Sequence, residues 1–92
     1  MNLNQLIKII ISALEDIKAN DIEILDVTKR ATIFDRMIIA SAVSTRQARA
    51  IANNVNDKVK ESGGTSYGTE GEGSGEWVLV DLGDVLVHIM LP

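Results

Sequence analysis

Cysteine is absent from the 92-residue chain. That excludes a disulfide framework, a thiolate zinc site and a thiol nucleophile, and it is compatible with a reducing compartment. Aromatic residues are nearly absent: one Trp, one Tyr and one Phe leave the core to Ile, Val, Leu and Ala. A single histidine cannot build a histidine cluster. Basic charge is not in excess, and the net charge is −4. Neutralising phosphates takes clustered Lys and Arg, so generic nucleic-acid binding, direct DNA binding included, is not expected. A basic protein partner stays open. No run approaches the ~20 apolar residues needed to cross a bilayer. Residues 3–17 are apolar in places, but Lys8, Glu15 and Asp16 interrupt them and no small-residue cleavage site follows, so a targeting segment is not expected. The expectation is a soluble, cytoplasmic chain without membrane association. Its length suits one domain, spanning 1–92, near the lower end of the usual range.

Hydrophobic periodicity sets the elements. Leu3, Leu6, Ile7, Ile10, Leu14 and Ile17 recur at spacings of three and four, which predicts a helix over 3–19, with Asn2 as its cap. Residues 22–27 alternate as a strand with Ile22, Ile24 and Asp26 on one face. Residues 28–35 are polar and read as a loop or short strand. The continuous apolar run at 36–41 is too short for a helix and fits a strand covered on both faces. Ser44 followed by Gln47 is a capping-box pattern, and Ala48, Ile51, Ala52, Val55 and Val59 keep helical spacing up to Gly63 and Gly64. Arg46 and Arg49 lie near the unfavourable end of this helix's dipole. Either they are solvated or an acid such as Asp35 balances them. Residues 65–69 form a short strand carrying Tyr67, a glycine-rich acidic connection follows at 70–76, and two long strands end the chain. The order is helix, strand, strand, helix, strand, strand, strand. It predicts a small two-layer α/β (α+β) domain, a mixed sheet of about five strands with two main helices. If the second helix joins parallel strands, the crossover is right-handed.

The last two strands hold the only Trp and the only His. With Gly83-Asp84 as a two-residue loop, glycine first, Leu82 opposes Val85, Val80 opposes Val87 and Val78 opposes Ile89. These six make one purely apolar face, which should meet the helices. On the other face Asp81 opposes Leu86, Leu79 opposes His88 and Trp77 opposes Met90. That mixed face has no obvious cover. Either it is exposed as an interaction patch or Trp77 packs under its own chain. A one-residue slip would mix the two faces.

Chemistry finds little footing. His88 is a candidate base or ligand, though a lone His in a strand is more often structural. Asp81 and Asp84, with Glu70 or Glu72, are carboxylates of the kind metal-dependent phosphoryl transfer uses, but acids at turns are common for backbone reasons. Residues 71–75 have the glycines of a phosphate loop without its lysine and lead into a strand, so no helix N-terminus stands behind them. No base stands beside Ser44 or Ser74. No catalytic residue, metal or cofactor is expected.

Together these residues resemble a known family, the bacterial ribosomal silencing factors or Iojap family. The likeness runs through Ala13-Leu14-Glu15-Asp16-Ile17-Lys18-Ala19-Asn20-Asp21-Ile22, Leu25-Asp26-Val27, Phe34-Asp35-Arg36-Met37-Ile38-Ile39-Ala40, Ser44-Thr45-Arg46-Gln47, Glu70-Gly71, and the long block Trp77-Val78-Leu79-Val80-Asp81-Leu82-Gly83-Asp84-Val85 with Val87-His88. The resemblance implies a nucleotidyltransferase-like fold without known catalysis. It implies binding to ribosomal protein uL14 on the large ribosomal subunit, which blocks joining of the small subunit and represses translation when nutrients are scarce. A basic ribosomal protein suits an acidic binder. Carried onto this chain, the implied contact residues are Trp77 as anchor with Leu79, Asp81, Leu82, Gly83, Asp84, Val85, His88 and Met90, and Glu70 beside them. A homodimer is implied as a further form. Family members usually continue past the Val-His strand into an acidic segment with a late Trp. This chain stops at Pro92, so the expectation carries over only contacts made before that point. The alternatives are a metal-dependent nucleotidyltransferase-type enzyme using Asp81 and Asp84, or a homodimeric adaptor for another basic protein.

Overall fold

The computed structural model describes residues 1–28 and 34–92. Its elements run α1 (Leu3–Asp16), β1 (Asn20–Asp26), β2 (Arg36–Ser41), α2 (Thr45–Glu61), β3 (Gly68–Glu70), β4 (Trp77–Asp81) and β5 (Val85–Met90). This is the order the periodicity predicts. The five strands form one mixed sheet in the order β1-β2-β5-β4-β3. β2 and β5 are parallel, and the other neighbours are antiparallel.

Local chemistry starts and stops both helices. Asn2 caps α1: its side chain accepts from Gln5 N (2.9 Å) while the Gln5 side chain accepts from Asn2 N (3.0 Å), a reciprocal capping box. α1 ends at Asp16 rather than at Ala19 because Lys18 turns left-handed (φ 60°). Lys18 N then donates to Glu15 O and Ala19 N to Leu14 O, a Schellman closure. α2 closes the same way with glycine in that position: Gly63 (φ 89°) donates to Lys60 O and Gly64 to Val59 O. At the start of α2, Ser44 Oγ accepts from Gln47 N (3.0 Å). The Gln47 amide does not return to Ser44. Its Oε1 accepts from Val43 N (2.7 Å) and its Nε2 donates to Ile17 O (2.9 Å), tying α2 to the end of α1. A second tie runs from Asn54 Nδ2 to Ala13 O (2.8 Å).

Both helices lie on one face of the sheet. Ile10, Leu14, Ile51, Val55 and Val59 from the helices are fully buried against Ile38, Val78, Val80, Val85, Val87 and Ile89. Each of these strand positions contributes roughly 1.5–3 kcal/mol through burial, and together they are the main force holding the two layers. The expectation that β2 is covered on both faces fails. Ile38 and Ala40 are buried, while Met37 and Ile39 are only half-buried, because no helix is left for the second face. β1 is an edge strand: Ile24 shares the helix-side face with Ile38, yet it stays 48% exposed beyond the reach of the helices. β3 begins at Gly68, so Tyr67 stands just outside it, with its N–H donating to Asp81 O (2.8 Å). Most of the loop expected at 28–35 lies outside the described residues. Its base is closed by Val27 N donating to Asp35 O and by the Arg36–Asp26 ion pair (3.2 Å). Arg46 is solvated, and Arg49 donates to Glu72 O (3.3 Å). Neither pairs with Asp35 among the described residues.

Candidate interaction face

β4 and β5 pair as the turn chemistry predicts: Trp77 with Met90, Val78 with Ile89, Leu79 with His88, Val80 with Val87 and Asp81 with Leu86. The loop between them places Gly83 at φ 85°, a conformation that favours glycine, and Leu82 N donates to Val85 O (3.0 Å). Asp81 Oδ1 accepts from Gly83 N (2.9 Å), which holds the loop. With the register fixed, every other residue is assigned to a face. Val78, Val80, Leu82, Val85, Val87 and Ile89 go under the helices. Trp77, Leu79, Asp81, Leu86, His88 and Met90 go to the open side.

Trp77 is 57% exposed. That decides between the two sequence readings: it is not sealed under its own chain. It is nevertheless held. Nε1 of Trp77 donates to Nδ1 of His88 (3.0 Å), and the rings stand 5.7 Å apart at 41°. A histidine that accepts at Nδ1 carries its proton at Nε2 when neutral. Nε2 of His88 is buried and has no partner among the described residues. Burial lowers the His88 pKa, since the charged imidazolium would lose hydration.

The open face is wider than the hairpin. β2 adds Met37 and Ile39, paired beside Leu86 and His88, and β1 adds Leu25 and Glu23 beside them. A shallow recess of ≈ 350 Å³ opens at one end between Phe34, Tyr67, Leu79, Asp81, Gly83 and Leu86. The strand positions on this face carry three carboxylates, Glu23, Glu70 and Asp81, and no Lys or Arg among the described residues. The surface is therefore an apolar patch with acidic margins, of the kind that marks a protein contact.

The fold brings Trp77, Leu79, Asp81, His88 and Met90 together on this face. Glu70 stands at its margin opposite Leu79, and Gly83 and Asp84 form its hairpin end. Leu82 (4% exposed) and Val85 (fully buried) need correction as contact residues. They share the alternation of Val80 and Val87, so their side chains belong to the core and support the loop from beneath. Met37, Ile39 and Leu25 were missed as members of the face. The continuous apolar run at 36–41 hid the alternation that would have found them. Among the described residues, no three of His, Cys, Asp and Glu gather as a metal-holding group. Asp81 is occupied with its turn, and Asp84 is exposed at the loop.

Comparison with known proteins agrees with this architecture. A family model described as ribosomal silencing factor during starvation matches residues 1–92. The ribosomal silencing factor RsfS of Chromobacterium violaceum is 53% identical over 92 residues, spanning 100% of this chain and 75% of that protein. The RsfS of Haemophilus influenzae is 38% identical over 85 residues, 92% of this chain and 83% of that protein. An X-ray crystal structure of a Chromobacterium violaceum protein, 53% identical, superposes with a TM-score of 0.97 over 100% of this chain and 77% of that one. On sequence over its full length and on fold, the chain belongs to the ribosomal silencing factor family.

Proposed function

We propose that this chain represses translation by occupying ribosomal protein uL14 on the large ribosomal subunit, so that its bulk keeps the small subunit from joining. The open face of the sheet, anchored by Trp77 at one end, makes the contact. The observation that carries this reading is the exposed indole on an uncovered apolar face. A half-exposed Trp held in one orientation by a hydrogen bond is ready to be desolvated without further ordering cost, and such residues dominate interface energetics. The acidic margin of Glu23, Glu70 and Asp81 favours a basic partner. It disfavours a second copy of the same face, which would set these carboxylates against their equivalents. The action is steric: binding alone suffices, and no bond in the partner changes.

Trp77→Ala tests this directly. The variant is expected to stay folded by circular dichroism and to lose at least about 30-fold in affinity for free large subunits in sedimentation, corresponding to the ~2 kcal/mol or more of an anchor residue. Normal binding by a folded variant would remove the face from the contact.

A further inference from the structure

We propose that His88 is the positioning residue for Trp77: its neutral imidazole holds the indole in its binding orientation, and protonation releases it, so that large-subunit binding weakens in acid. The inference rests on the function proposed above and adds a proton-dependent control to the same face.

The geometry is a matched donor and acceptor. Nε1–H of Trp77 has one hydrogen to give, and Nδ1 of His88 receives it at 3.0 Å. An indole offers no acceptor in return. Imidazolium carries N–H on both nitrogens, so a protonated His88 would point a hydrogen at the indole hydrogen and the bond is lost. More than half of the Trp77 surface faces solvent, and the bond to His88 is the indole's polar tie among the described residues. The other nitrogen adds to the sensitivity. Nε2 is buried without a partner among the described residues, so no carboxylate stands there to stabilise the charged form.

The surroundings of His88 fix the sign. From β4 it faces Leu79, flanked by Trp77 and Asp81. From β2 it faces Ile39, flanked by Met37 and Ser41. Leu86 and Met90 neighbour it on its own strand. Asp81 is the titratable group on the adjacent strand. Glu70 lies one strand further on, opposite Leu79, and Glu23 opposite Ile39 on the other side. The three carboxylates favour the imidazolium, but each is separated from it by an aliphatic neighbour or a step along the strand. Burial prevails, and the group titrates below its ordinary range. A partner laid over this face desolvates His88 further, so the complex binds fewer protons than the free protein. Affinity therefore falls as pH drops through the His88 midpoint, by at most about tenfold per pH unit for one linked proton.

Trp77 is the only tryptophan, so the emission of the isolated chain reports this pair alone. A fluorescence titration is expected to show one transition with its midpoint below about 6.5, the ordinary histidine value. His88→Gln, whose amide oxygen accepts without titrating, is expected to abolish it. Nitrogen NMR of wild-type His88 is expected to show the Nε2–H tautomer, a result that needs no variant. In sedimentation with large subunits, the affinity ratio between about pH 7.5 and about pH 5.5 is expected to be about two- to tenfold for the wild type, the ceiling for one proton titrating below about 6.5, and to fall to about one for His88→Gln. A flat wild-type titration, a transition that survives in His88→Gln, the Nδ1–H tautomer, or binding that ignores pH would each overturn the proposal. Loss of binding at every pH with the fluorescence transition intact would instead overturn the proposed function and leave the His88–Trp77 coupling standing.

Discussion

Trp77 and Ile89 sit on the same hairpin and do opposite work. Ile89 is fully buried under the helices, while Trp77 is mostly in water. Ile89→Ala is expected to cost about 2–5 kcal/mol of stability in urea denaturation, the range for truncating a buried Ile. Trp77→Ala is expected to cost less, about 1–2 kcal/mol, because more than half of its surface stays in water. If the two costs came out equal, the assignment of the faces would be wrong. His88 makes stability depend on pH. Its folded pKa is lowered, so below about pH 6.5 the unfolded chain binds more protons than the folded one. Its contribution is complete above that value and is lost as pH falls through the folded midpoint. The urea midpoint is expected to drop between about pH 7.5 and about pH 5.5, and the drop is expected to shrink in His88→Gln. At this scale the sequence went only part of the way. It placed Trp77 opposite Met90 and His88 opposite Leu79, because a two-residue turn leaves one register. It could not settle whether the indole was covered, since alternation assigns a residue to a face without saying what lies over that face. The indole–imidazole hydrogen bond was also out of reach: the two residues are eleven positions apart and on neighbouring, non-opposed sites.

Among the elements, the helices and the terminal hairpin were the most legible, and the reasons are local. Capping side chains, apolar spacing of three and four, and glycines at the end of α2 are all written in short segments. The early end of α1 was not legible, because it depends on Lys18 adopting a left-handed backbone, for which its side chain gives no signal. The single-faced burial of β2 was not legible either, because an all-apolar run looks the same whether one side or both are covered. Gln47 joins two elements that the sequence keeps thirty residues apart. It was readable as half of a capping box, but its amide bridges to the end of α1 instead. Gln47→Ala is expected to lower stability by roughly 1–2 kcal/mol, more than the loss of a solvated cap partner alone, since the carbonyls of Ile17 and Lys18 lose a donor. Thermal unfolding checks this. An unchanged midpoint would mean the helices are positioned by their apolar contact alone.

For the whole molecule, two helices spent on one side of a five-stranded sheet leave the other side without a covering helix among the described residues, and this asymmetry is what the proposed function uses. A domain of this size cannot cover both faces of such a sheet with two helices, so the apolar residues of the open face are held out of the core by topology. The charge has the same logic: an acidic chain presents carboxylates around that face and, among the described residues, no Lys or Arg at the strand positions facing it, which suits a basic surface. The broad fold followed from the order of elements. The extent of the face did not, because Met37, Ile39 and Leu25 join it only through the β1–β2–β5 pairings. A photo-crosslinking side chain installed at Leu86, on the central strand of the open face, gives the most direct test when the protein is mixed with large ribosomal subunits. The account predicts a crosslink to uL14 from that position and none from Asn53, which is exposed on α2 on the far side of the molecule. A crosslink from Asn53, or one from Leu86 to a different ribosomal component, would contradict it.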